Sequence, residues 1–166
     1  MGLTGDSRGR YAARAFLGFS TFLAGTVLFA CVTGGPIGFF PGGAFSGEVE
    51  RGPEPDWSFA APLDTVAVQV SSSPPRTVRT GIVVYEGVPY LPVTYSFLKR
   101  WWSIVKQEPR VLLRVDERVF ERTAVFIADD QMHAELVAAG QAKYGPPFHA
   151  SWTPSVTEFF RLDPRP

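Results

Sequence analysis

The sequence predicts a mainly β fold, a six-stranded antiparallel barrel carrying two short helices, preceded by one N-terminal transmembrane helix. Three observations predict it. From Asp64 onward apolar residues recur with a period of two between clusters of Gly, Pro and Ser, which marks half-buried strands. Two stretches replace that period with apolar residues three and four apart, the spacing of one helix face. Residues Ala15 to Gly34, AFLGFSTFLAGTVLFACVTG, hold no charge; at ~1.5 Å per residue a helix of that length covers about 30 Å, the hydrocarbon thickness of a bilayer.

Composition bounds the rest. The chain has 166 residues, with 16 Lys and Arg against 16 Asp and Glu, and this length suits one domain rather than two. At 45% apolar and 19% charged residues, it is too hydrophobic for a disordered chain and lacks the basic excess of a nucleic-acid binder. A single cysteine, Cys31, and two histidines, His133 and His149, exclude an internal disulfide framework and a Cys-rich metal site.

The apolar run follows Arg8, Arg10 and Arg14 and precedes Glu48, Glu50, Glu54 and Asp56. That asymmetry places residues 1–14 in the cytoplasm and the remainder across the membrane, which in a bacterium is the inner membrane with a periplasmic domain. Two further readings apply to the segment. Leu28-Phe29-Ala30-Cys31 resembles a lipobox, whose cysteine is lipidated after cleavage, and a basic start before an apolar stretch also opens a cleaved signal peptide. The uncut anchor is preferred because the stretch is longer than a signal core and shows no small-residue cleavage site. On the helix, Gly18, Thr21 and Gly25 fall on one face, where small side chains let a second membrane helix approach.

Residues 35–62 form a linker too rich in Gly and Pro for a helix or central strand. Phe39, Phe40, Phe45, Trp57 and Phe59 within it are groups a free linker would not expose. It is therefore expected to lie against the domain of residues 63–166 or along the membrane interface.

In that domain Val66, Val68 and Val70 alternate into a first strand, ended by Ser71 to Pro75. Thr77 to Tyr85 and Val88 to Thr94 make a hairpin about Glu86-Gly87, with Pro89 and Pro92 suggesting an edge or a bulge. Arg110 to Val115 and Val119 to Ile127 make a second hairpin, and Thr157 to Leu162 the last strand. Between the hairpins, Phe97, Trp101, Ile104 and Val105 form the apolar face of a helix stopped by Pro109. The second helix starts at Asp129 as N-cap and stops at Gly145-Pro146. Closing the strands into a barrel removes exposed sheet edges.

The order of strand, hairpin, helix ending in Glu108-Pro109-Arg110-Val111, Leu-rich strand and long Val119–Ile127 strand resembles the flavin-binding split barrels of the pyridoxamine phosphate oxidase type. The resemblance spans residues 56–163. It implies a phosphate site built from Arg76 on the second strand, Lys99 and Arg100 at the helix start and the hydroxyl of Thr94, and a homodimer that completes it. Helix-start cations are sound phosphate donors. The sequence departs from the pattern at Trp101-Trp102, whose indoles compete for the space of an isoalloxazine ring. FMN and deazaflavin are also made in the cytoplasm, away from a periplasmic barrel.

No catalytic constellation stands out. His133 and His149 are expected to be exposed, Asp129-Asp130 caps a helix, and Tyr85, Tyr90, Tyr95 and Trp101 are core aromatics. The leading expectation is a non-catalytic accessory subunit without cofactor, anchored in the bilayer beside other membrane subunits. The alternative is an FMN- or deazaflavin-dependent oxidoreductase. A lipoprotein binding a small hydrophobic ligand is the third reading.

Overall fold

The computed structural model describes residues 42–145 and 157–165. Its elements are β1 (Thr65–Val70), β2 (Arg76–Gly81), β3 (Val83–Tyr85), β4 (Val88–Thr94), α1 (Arg100–Gln107), β5 (Arg110–Val115), β6 (Arg118–Phe126), α2 (Asp130–Tyr144) and β7 (Thr157–Pro164). The strands form one antiparallel sheet in the order β2-β1-β5-β6-β7-β4-β3. Its two edges, β2 and β3, are joined through Ile82 alone, and Thr80 Oγ1 of β2 donates to Pro92 O of β4 at 3.1 Å, which brings the edges together as a split barrel.

Seven strands replace the expected six. The stretch read as one strand from Thr77 to Tyr85 is cut at Ile82, because its first half pairs with β1 and its second with β4. A continuous apolar pattern hides such a change of partner. Ile82 is fully buried at the break. Its N–H receives no ladder partner there and donates instead to Tyr144 Oη at 2.9 Å, while Tyr144 Oη and Lys143 Nζ both donate to its carbonyl. The end of α2 thus supplies the hydrogen bonds that the sheet lacks, as buried backbone groups require. Gly81 makes the approach possible: a Cβ there would lie 2.7 Å from Tyr144 Oη.

The prolines of β4 follow the same geometry. Pro89 precedes the β7 pairing, which begins at Tyr90, and Pro92 follows the β3 pairing, which ends at Tyr90. The strand lies inside the sheet, yet each proline falls where only one side is laddered, so no N–H is missed.

Valines 66, 68 and 70 face the barrel interior with Leu91, Val93, Leu113, Phe120, Phe160 and Leu162. A second cluster lies outside the barrel, where Leu136 and Val137 of α2 pack on Val83, Tyr90 and Phe159. Asp129 caps α2 as expected, its carboxylate accepting from Met132 N at 2.7 Å.

The Gly/Pro-rich stretch is irregular and, from Gly42, crosses the outside of the sheet as a strap. Gly42 pairs with Thr77, Phe45 N donates to the Gln69 side chain, the Phe45 ring lies under the Arg114 guanidinium, and Glu50 N donates to Val119 O. Residues Trp57–Ala60 then turn inward as a 3-10 helix and fill the barrel with the Trp57 indole, stacked against Phe59 and edge-on to Phe120. Among the described residues no helix is long and apolar enough to cross a membrane. The expected span 15–34, the Gly18, Thr21 and Gly25 face, Cys31 and His149 all lie outside the described residues.

Candidate functional site

Helix α1 joins the end of β4 to the start of β5. Val70, Arg76 and Val111 are neighbours at that end of the sheet, so the helix lies across one mouth of the barrel. Trp101 and Val105 enter the core from it, and Ile104 and Trp102 pack on its edge. Phe97 departs from the expected apolar face. It is 73% exposed, because Tyr95 takes a left-handed conformation (φ 53°) and Ser96–Leu98 form a separate 3-10 turn that resets the helical phase before Arg100.

The four residues implied by the resemblance all lie at this mouth. Arg76 opens β2 opposite Val70 and is half-buried. Lys99 is the N-cap of α1, where burial pushes its ammonium below the ordinary 10.5. Arg100 begins the helix and is exposed. Among the described residues none of the three cations has a carboxylate partner; Arg110, Arg118, Arg122 and Arg161 are each paired, and Arg51, Arg79, Arg114 and Arg165, spread elsewhere on the surface, are not. Thr94 stands apart from them: it ends β4 opposite Thr157, and the two hydroxyls are 3.5 Å apart.

Two further polar groups near the mouth bear on the site, Trp102, which the sequence marks as a departure from the family pattern, and Glu158, which it does not. Trp102 Nε1 is buried without a hydrogen-bond partner, and so are Glu158 Oε2, which faces the interior beside Val93, and, on the strap side, Arg122 Nε. Lys106 Nζ covers the Trp102 ring at 4.6 Å and the Phe126 ring at 4.2 Å. Buried orphan polar atoms are rare in folded proteins, and a bound group is one of the few things that accounts for them. Local sequence does not show that the polar atoms of Trp102 and Glu158 are left unsatisfied, since that depends on how the elements pack.

His133 corrects an expectation. Rather than standing in solvent, its Nε2 lies 2.7 Å from Thr157 O and its ring is edge-on to Phe159. It ties α2 to β7. No group of three metal-ligating side chains occurs among the described residues.

A cavity of about 970 Å³ opens on the strap side, lined among others by Glu50, Glu54, Arg118 and Arg122. Two of its arginines are matched, Arg118 Nε donating to Glu50 at 3.0 Å and Arg122 to Glu54 at 2.7 Å, while Arg51 and Arg165 on the same lining have no carboxylate partner among the described residues.

No protein-family model matches the sequence, and no curated protein matches it. Solved structures do. The chain is similar to HutZ, the heme storage protein from Vibrio cholerae, at 13% identity and TM-score 0.51, covering 62% of this chain and 82% of that one. It is similar to a pyridoxamine 5'-phosphate oxidase-like protein from Listeria innocua at 9% identity and TM-score 0.50, covering 65% and 90%. A third structure, described as a domain-swapped dimer, matches at 17% identity and TM-score 0.50, covering 61% and 81%. The architecture is that of the pyridoxamine phosphate oxidase-like split barrels.

Proposed function

We propose that this split barrel binds a phosphate-bearing redox cofactor of the flavin class, FMN or a deazaflavin, at the mouth crossed by α1, and serves as an oxidoreductase. The observation that carries the reading is the set of unpaired cations Arg76, Lys99 and Arg100 at one rim, with Lys99 held partly dehydrated and without an anion. A dehydrated ammonium is costly until a counter-charge arrives. The orphan Trp102 Nε1 fits the same account, as a donor awaiting an acceptor. The name of one neighbour, a pyridoxamine 5'-phosphate oxidase-like protein, and the heme storage of another agree with cofactor handling on this fold.

In this reading Arg76 and Arg100 grip phosphate oxygens from the strand and the helix start, and Lys99 supplies a charge-assisted bond between them. Thr94, engaged with Thr157, is a supporting hydroxyl. When bound, the flavin supplies hydride or electron transfer. Because Trp101 and Val105 fill the barrel, residues of the mouth and not of the interior would hold the group. A second copy of the chain completes the cleft, in keeping with the neighbour described as a domain-swapped dimer.

The test is a titration of the purified full chain with FMN, read by absorbance and flavin fluorescence. Binding is expected, weakened tenfold or more by Arg76→Ala or Lys99→Ala, since a bond to a charged group contributes about 1.5–3 kcal/mol. A protein that ignores both FMN and deazaflavin rejects the reading.

The filled interior favours a second reading, in which the barrel is a non-catalytic extrinsic domain. Here the chain is a periplasmic, single-pass accessory subunit whose Gly18, Thr21 and Gly25 face packs against other membrane subunits. Isolation from membranes under mild detergent, with identification of co-purifying chains, distinguishes it.

A further inference from the structure

The turn at Tyr95–Leu98 is an apolar projection from an otherwise well-covered surface. Phe97 and Leu98 are 73% and 74% exposed and Tyr95 is 41% exposed, its ring edge-on to Phe97 at 6.2 Å. The left-handed backbone at Tyr95 turns the chain outward at the end of β4. Phe97 and Leu98 therefore stand away from the core that buries Trp101 and Val105. The exposed Arg100 follows immediately, with no anionic partner among the described residues. Two bare apolar side chains beside a free guanidinium are the chemistry of a membrane interface, where aromatic and aliphatic groups enter the acyl boundary and cations meet lipid phosphates.

The path of the chain says which surface meets this projection. Gly42 and Thr77 exchange backbone hydrogen bonds of 3.0 Å, so the strap begins at the second residue of β2, beside Arg76. β4 ends at this same mouth. The uncharged run ends at Gly34, and the eight residues 35–42 reach at most roughly 28 Å when fully extended. Wherever that run sits in lipid, it tethers the mouth close to the bilayer and leaves the Asp116-Glu117 turn, at the other end of β5, pointing away.

We infer that the barrel docks mouth-down on an anionic phospholipid surface, with Phe97 and Leu98 inserted among the headgroups and Arg100 on lipid phosphate. The inference rests on the apolar run being membrane-embedded, and it competes with the flavin reading for Arg100 and for the mouth. Phe97 and Leu98 lie outside the phosphate set, so insertion of the turn is tested separately from flavin binding, whereas Arg100 is common to both.

The experiment uses the full chain with Cys31→Ser, carrying an environment-sensitive fluorophore at Leu98→Cys or, as control, at Glu117→Cys. It is reconstituted in vesicles of phosphatidylcholine with phosphatidylglycerol, with and without nitroxide-labelled lipid. At position 98 a blue shift and nitroxide quenching are expected, both diminished by Phe97→Ser and in vesicles of phosphatidylcholine alone. At position 117 neither is expected. A label at 98 as water-exposed as that at 117 overturns the inference. So does shielding that grows with the protein-to-lipid ratio and escapes lipid quenching, which would show a second copy of the chain covering the turn. Equal penetration in neutral vesicles overturns the part assigned to Arg100.

Discussion

Arg118 and Arg122 on the strap side and the cations at the mouth of the barrel are held in opposite ways. On the strap side the Arg122 side chain is 5% exposed, bonded through Nη1 to both oxygens of Glu54, and faced by the rings of Trp57 and Phe120. Arg118 is likewise held by Glu50 and stacked on Phe59 and Phe120. At the mouth Arg76, Lys99 and Arg100 have no such partners among the described residues, and large apolar groups stand beside them in solvent. Matched charge holds a fold together. Charge left unmatched at a rim, and partly dehydrated, is available to something outside the chain.

The comparison breaks most easily at Glu54. Glu54→Ala leaves Arg122 buried without its counter-ion and removes the acceptor of Trp57 Nε1, bonded at 2.6 Å. Orphaning a buried charge costs about 3–5 kcal/mol. Glu54 is itself 42% exposed, so water relieves part of this and the expected loss is about 3 kcal/mol, measured as a lower urea midpoint at constant slope. An unchanged midpoint would show that the strap side is not structural.

A smaller loss is expected at the barrel seam. Gly81→Ala pushes a methyl group toward Tyr144 Oη at 2.7 Å and Pro92 Cγ at 3.1 Å. It loosens the bonds that Tyr144 and Lys143 make to Ile82, Asp64 and Leu63. The cost of such overpacking is about 1–2 kcal/mol. Hydrogen exchange at Ile82 is expected to quicken, which separates a loosened seam from a general loss of stability.

Much of this fold was legible because strand period and turn chemistry are local. Glu86-Gly87 forms the expected tight turn with both φ values positive, and Asp129 caps α2. What could not be read depends on partners distant in the chain. Glu54 and Arg122 are 68 residues apart, and nothing in either neighbourhood announces the other. The break at Ile82 is a change of strand partner inside a continuous apolar pattern. Helical spacing puts Phe97 on a buried face because it assumes one phase, and a single left-handed residue, Tyr95, resets it. At the mouth, Arg76, Lys99 and Arg100 were visible only through a family resemblance; the orphan atoms of Trp102 and Glu158 arise from packing that no spacing encodes.

Substitutions at the mouth sharpen the contrast by doing little to the fold. Arg76→Ala and Arg100→Ala are expected to stay within about 0.5 kcal/mol of the parent in urea, while flavin affinity falls. A loss comparable to that of Glu54→Ala would place these arginines in the structure instead and remove the ground for a ligand there.

The finest test is a pH dependence at Lys99. Burial lowers its pKa from the ordinary 10.5, so between the lowered value and 10.5 the unfolded chain binds more protons than the folded one. Stability attributable to this residue therefore rises with pH across that window, and below it the charged ammonium is a standing cost. Lys143 is shifted in the same direction by burial, opposed by Asp64, and must be cancelled by comparison with Lys99→Met. That variant is expected to exceed the parent in stability at neutral pH, by an amount that shrinks as pH approaches 10.5. A phosphate-bearing ligand reverses the sign of the local field: it restores the ammonium, so binding takes up protons within the window and weakens as pH rises through it. Calorimetry in buffers of different ionisation enthalpy reads that uptake directly. Uptake that persists in Lys99→Met would move the phosphate contact to another group, and uptake lost with it would place the ligand against Lys99.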